Sequence, residues 1–232
     1  MMNVLIAWTA LFFAQATPAA DSTDVYYLIF LKSDPARKAL SKEEGERIMA
    51  AHMANIHSMA DRGVLVAAGP FDDKPAMISG IFFLRASSFV EARRIAMQDP
   101  TVVEHRNQVD EHAWRGPKEI GAEYFRLHKD KPDTPEGMGV QPLFLIYRGA
   151  RWADREQLWS AHIDYLAGLQ RDGKLAMQGP TDGEDELSAM VVFNRISDEE
   201  AQRLMSKDPA VKANVLRTEF HRWWCAEHVI PK

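Results

Sequence analysis

HMANIHSMADRGVLVAAGP, residues 52–70, and HIDYLAGLQRDGKLAMQGP, residues 162–180, are one pattern written twice. Each opens on a histidine, passes a glycine (Gly63, Gly173) and closes on Gly-Pro (Gly69-Pro70, Gly179-Pro180), at a constant offset of 110 residues. A repeat at fixed spacing sets the architecture before any single residue does. Further along, Asp99-Pro100 is matched by Asp208-Pro209, and His112-Ala113-Trp114 by His221-Arg222-Trp223, at an offset of 109. One residue has been lost between these landmarks, as a surface-loop deletion would do.

Working outward, the first copy reads as residues 25–115 and the second as 141–224, with a linker at 116–140 that carries a polar, Pro- and Gly-rich run at 129–137. The first half of that linker, Ile120 to Leu127, reads as a short strand or turn. Within each copy the order is β-α-β-β-α-β. Tyr26 to Leu31 and Leu143 to Tyr147 are rich in strand formers. Ser41 with Glu44 forms a capping box ahead of an apolar stripe of Ile48, Met49, His52, Ile56 and Met59. Its twin opens at Asp154, with a stripe of Leu158, Trp159, His162, Leu166 and Leu169. Gly63 and Gly173 end these helices. Ser88 with Glu91, and Ser197 with Glu200, open the second helices, which are expected to run to Asp-Pro, where proline stops them. Such a unit is an α+β, ferredoxin-like fold: a four-stranded antiparallel sheet with both helices on one face. The bare sheet face needs cover, and two copies can cover each other sheet to sheet.

Composition agrees with a globular chain. Of 232 residues, 46% are hydrophobic and 26% charged, and the net charge of −5 argues against a nucleic-acid partner. Residues 1–20 carry no Lys, Arg, Asp or Glu. An apolar run from Val4 to Ala14 precedes Ala14-Gln15-Ala16, a small-x-small cleavage pattern, with a second cut available at Pro18-Ala19-Ala20. This reads as a secretory signal, leaving a periplasmic or secreted protein with no membrane span after cleavage; an uncleaved anchor or an unusual N-terminal strand is the alternative. The single Cys225, beside Trp223 and Trp224, forms no internal disulfide and reads as a packing residue.

Four groups of residues could carry chemistry. His52 and His162 lie on the apolar faces of their helices, where an imidazole needs a partner. Asp99 and Asp208 are placed at helix C-terminal ends, where a carboxylate is disfavoured and wants a donor such as a histidine on the facing helix. Such a pair fixes the histidine tautomer for general acid/base work; a plain Asp-Pro turn is the alternative. Gly69-Pro70 and Gly179-Pro180 close the second strands in a tight turn that is either a plain hairpin loop or a backbone approach to a ligand, with Asp72, Asp73, Asp182 and Glu184 following. On the last strands, Asp110, His112 and Trp114, and Glu219, His221 and Trp223, share a face by period two and form either a pocket wall or a structural cluster. No metal-ligand spacing, phosphate loop or nucleophile elbow is present, so no metal and no cofactor are expected.

His, helix, Gly, then Ala68-Gly69-Pro70 and later Asp99-Pro100 resembles the YciI-related family of the dimeric α+β barrel superfamily, in both copies. The second copy departs at Gln178-Gly179-Pro180. The resemblance implies a His–Asp active site, here His52 with Asp99 and His162 with Asp208. It implies relatives such as a lactone dehalogenase and muconolactone isomerase. It also implies homodimers, so that the tandem chain is an intramolecular pseudo-dimer, open to further homo-oligomerisation. Two functions stay open. One is a small-molecule lyase, isomerase or dehalogenase-type enzyme using His–Asp pairs. The other is a non-catalytic ligand-binding or scaffold protein of the envelope, its pairs sealed in the core. A haem or metal oxygenase is a third and weaker reading.

Overall fold

The structure, a computed structural model, describes residues 23–72, 77–131, 134–135, 137–182 and 186–231. The leader read at residues 1–20, Asp73 and Glu184 lie outside the described residues. The first unit runs β1 (Thr23–Ser33), α1 (Lys42–Asp61), β2 (Leu65–Pro70), β3 (Ile78–Leu84), α2 (Phe89–Ala96), α3 (Pro100–Val103) and β4 (Asn107–Pro117). After α4 (Ala122–Asp130), the second runs β5 (Met138–Arg148), α5 (Arg155–Arg171), β6 (Leu175–Asp182), β7 (Leu187–Phe193), α6 (Asp198–Met205), α7 (Pro209–Lys212) and β8 (Leu216–Ala226). No helix among the described residues is long and apolar enough to cross a membrane.

All eight strands join in one sheet, β2-β3-β1-β4-β6-β7-β5-β8. The two units meet twice, in the same way. β4 pairs β6 at Ala113–Asp182 and Trp114–Thr181. The free edges meet at the Phe71–Trp223 bridge, where Asp72 N–H donates to the Arg222 carbonyl at 2.9 Å. The sheet thus closes on itself and removes its exposed edges. The barrel interior is filled from both units by Tyr26, Leu28, Phe30, Phe83, Trp114, Leu143, Leu145, Met190 and Trp223. Outside it, each unit has a second core between sheet and helices, around Ile29, Met59 and Phe82 in one and Ile146, Leu166 and Phe193 in the other.

Gly69 and Gly179 sit within β2 and β6 rather than in closing turns. A Cβ on Gly69 would lie 1.9 Å from the Trp224 carbonyl oxygen, and one on Gly179 1.8 Å from that of Arg115. The close backbone approach these glycines permit is therefore to the other unit's last strand. Trp114 Nε1–H donates to the Gly179 carbonyl at 2.8 Å across the same seam.

Several local expectations change. The linker stretch folds as helix α4, laced by Arg126 with Glu123 and Asp130, and not as a strand or turn. Asp154 gives no side-chain cap to α5; its carboxylate takes Arg151 at 2.9 Å instead. Ser41 and Glu44 make the full capping box, but Glu91 turns back to Ser87 and Glu200 to Lys174, leaving Ser88 and Ser197 as single caps. Met49 of the α1 stripe is 54% exposed. Finally, α2 and α6 end before Asp-Pro. Asp99 and Asp208 are N-caps of the next one-turn helices, where the dipole favours a carboxylate rather than opposing it.

Candidate active site

Proline at the first position of α3 and α7 fixes a short helix whose free N–H groups fall on the preceding aspartate. Asp99 Oδ1 accepts from Thr101 N–H at 3.0 Å and Thr101 Oγ1 at 2.5 Å. Asp99 Oδ2 accepts from Asn55 Nδ2 at 2.9 Å, and His52 Nδ1 reaches it at 2.8 Å. Thr101 Oγ1 takes a further hydrogen bond from Asn107 Nδ2 at 3.0 Å, and Asn107 Oδ1 accepts from Ser79 Oγ at 3.1 Å. A chain of hydrogen bonds thus links α1, α3, β4 and β3 behind the His52 ring. Burial of Asp99 works against its charge, but the bonds from His52, Thr101 and Asn55 outweigh it and hold the carboxyl below its ordinary pKa. It is a carboxylate at neutral pH.

His52 stacks on Phe82, with ring centroids 5.8 Å apart, and borders a cavity of about 310 Å3. The cavity runs from α1 across the edge strand β2 to Tyr124 and Phe125 of α4 and Val229 near the C-terminus. Gly69 and Pro70 line it, as does His57, five residues beyond His52 on α1. A cavity of this size is at the small end of ordinary ligand sites, which span about 300–1,000 Å3.

The second pair has the same contact and different surroundings. His162 Nδ1 lies 2.6 Å from Asp208 Oδ2, and Asp208 accepts from Ala210 N–H at 2.8 Å. Around it, the repeat replaces three of the four polar neighbours and keeps Ser79 as Ser188. Asn55 becomes Tyr165, whose hydroxyl turns to the Leu204 carbonyl. Thr101 becomes Ala210, Asn107 becomes Leu216, and Met49 becomes Trp159, which packs on His162 at 5.4 Å between centroids. His162 is 2% exposed, against 13% for the His52 side chain.

The strand residues stand apart from both pairs. Asp110, His112 and Trp114 do share a face, but it is the barrel face, opposite the helices. His112 meets Phe30 edge-on, and its Nε2 lies 3.2 Å from Asp110. That contact, against burial and with help from Lys32, pushes the Asp110 pKa down to about 2. His221 stacks on Phe71 at 4.4 Å with Glu219 beside it, and Trp223 fills the barrel. These form a cross-barrel cluster and not a wall of the His52 cavity. Cys225 is buried, and burial pushes its thiol up to about 12. A second, more polar recess of about 880 Å3 borders Gln141, Arg195, Glu227 and His228, away from the paired histidines. No group of three or more His, Cys, Asp or Glu suited to a metal occurs among the described residues.

The sequence reading passed over Asn55, Thr101, Asn107 and Ser79. Asn55 had a signal, since it lies three residues after His52 and so shares its helix face.

The YCII-related domain matches the chain twice, over residues 25–107 and 122–223. No curated protein matches it. Among solved structures, it is similar to a protein described as a candidate chlorite dismutase, at TM-score 0.55 and 9% identity, over 86% of this chain and 94% of that one. It is also similar to a variant chlorite dismutase from Candidatus Nitrospira defluvii, at TM-score 0.55 and 13% identity, over 90% of this chain and 93% of that one. Likeness at such identity concerns the fold: two tandem ferredoxin-like units closed as one α+β barrel.

Proposed function

This chain belongs to the YCII-related domain family, and from that premise we propose that it is an acid/base enzyme with one working site, at His52. The observation that carries the reading is the contrast between the copies. Both hold a His–Asp pair, but the His52 ring borders a cavity among the described residues, while His162 is buried with Trp159 packed on it.

The chemistry follows from the bonds. Asp99 accepts from Nδ1–H and so fixes the tautomer whose Nε2 carries the lone pair. That nitrogen takes a proton from a carbon beside a carbonyl, leaving an enolate. The imidazolium beside the Asp99 carboxylate is stabilised by charge. Its proton then returns at another carbon, completing an isomerisation, or a leaving group departs with its electron pair, completing an elimination. The size of the His52 cavity suits a small organic molecule and not a macrocycle, which leaves the haem reading unsupported at this site. The sealed Asp208–His162 pair fits the alternative role, a core hydrogen bond.

Diethyl pyrocarbonate, which modifies accessible neutral imidazoles, tests the contrast. Native protein should be modified at His52 and spared at His162 until it unfolds, with His52→Gln and His162→Gln fixing the assignment by mass spectrometry. Equal reactivity at the two, or an inert His52, refutes a single open site.

A further inference from the structure

We infer that the His52 site takes an uncharged, mainly apolar molecule with a hydrogen-bonding oxygen, a carbonyl or hydroxyl, at the His52 end. This deepens, and rests on, the reading of His52–Asp99 as the working pair.

The lining decides the charge. Met53, Ile56, Leu65, Phe82, Phe125 and Val229 form the body of the cavity, and its described lining includes no Lys, Arg, Asp or Glu. His52, Thr101, Asn107 and Ser79 form a polar group at one end, and His57 and Tyr124 are the other polar side chains of the lining. Thr101, Asn107 and Ser79 bond to one another or to Asp99, and His52 gives its Nδ1 to Asp99, so the Nε2 side of the His52 ring is what this chain leaves for a ligand. Behind it stands an ionised carboxylate with its pKa held low. A carboxylate ligand would enter without a countercharge, lose its water and face a fixed negative charge, which is costly. A neutral lactone, ketone or phenol loses little and leaves its hydrocarbon body against thioethers that adapt to shape. The second unit takes part in this choice, because Met138 of β5 and Ala226 of β8 line, with Tyr124 and Phe125 of α4, a cavity whose chemistry lies in the first.

The test uses the full mature chain at pH 7.5 with two matched pairs: γ-octalactone against 4-hydroxyoctanoate, and 4-methylphenol against 4-hydroxybenzoate. Affinity is read by calorimetry and location by the His52 ring signal in NMR. The neutral member of each pair should bind about tenfold more tightly or better and shift the His52 signal. Met53→Lys, at a position 41% exposed on the cavity rim, should move the preference toward the anion without unfolding the chain. If the anions bind as tightly as the neutral members and shift His52, the substrate class is wrong and the acid/base reading stands. If no probe shifts His52 at saturating concentration, both fall.

Discussion

Replacing Asp99 by alanine strips the candidate site of its anchor, and the loss can be worked from the contacts. Asp99 is fully buried and accepts from His52 Nδ1, Asn55 Nδ2, Thr101 N–H and Thr101 Oγ1. Loss of the helix cap costs about 1 kcal/mol. Hydrogen bonds to a charged acceptor contribute about 1.5–3 kcal/mol each, but His52 and Asn55 are half-buried and recover part of theirs from water. The expected total is about 3–5 kcal/mol, the usual cost of removing one partner from a buried pair. Asp99→Asn keeps the shape and the cap acceptor and should cost about 1–2 kcal/mol. The two differ in pH dependence as well. The folded pKa of Asp99 lies below its unfolded value, near 3.9, so its ionisation adds stability above that pH and the contribution is lost as pH falls through the folded pKa. The parent should therefore lose stability more steeply than Asp99→Asn as the pH drops below about 4. Urea unfolding at pH 7 and at steps from pH 5 to 2 measures both effects. A loss under about 1 kcal/mol in Asp99→Ala, or acid limbs that superimpose in parent and Asp99→Asn, would refute the bonding scheme.

The two histidines should separate in urea: His162→Ala strands a sealed carboxylate and costs about 3–5 kcal/mol, whereas after His52→Ala the Asp99 carboxylate keeps its Asn55 and Thr101 donors and water enters from the cavity, at a cost of about 1–2 kcal/mol. Gly179→Ala drives a Cβ into the Arg115 carbonyl and should lower stability by about 3 kcal/mol or more, with a melting temperature near the parent's counting against the seam. Cys225, with its thiol pushed up to about 12, should ignore a disulfide reagent at pH 8 until denaturant is added. Expressed in a bacterial host, the chain should be recovered outside the cytoplasm beginning at Thr17 or Asp21; recovery in the cytoplasm with Met1 intact would remove the proposal that it is exported.

What the sequence disclosed was whatever short patterns control. Gly63 and Gly173 lie at φ +68° and +67°, and Gly69 and Gly179 at backbone contacts, so their spacing carried the repeat and with it the fold. Period two correctly grouped Asp110, His112 and Trp114, but a period does not say which face turns to the helices. Asp-Pro was read as a helix end because proline stops the preceding helix; that it also starts a new one, with the aspartate as cap, depends on the turn that follows. Helix α4 was hidden by its Pro- and Gly-rich flanks, although Glu123, Arg126 and Asp130 have helical pair spacing.

The matched His–Asp pairs pointed to chemistry in both copies, and the structure gives a physical reason why only one need have it. A buried pair cannot be dismantled one residue at a time, because either single loss leaves a charge or a donor stranded at a cost of several kcal/mol. The neighbours are under no such constraint. Asn55 can become Tyr165, Thr101 become Ala210 and Asn107 become Leu216 because each swap trades a peripheral hydrogen bond for packing. A homodimer would suffer every such change in both sites at once, whereas two copies in one chain suffer it in one. The pair therefore outlasts the site. Identity between the copies at His52/His162 and Asp99/Asp208 is then weak evidence that both react, and the residues that differ around them, Met49 against Trp159 above all, decide where a ligand can reach the ring.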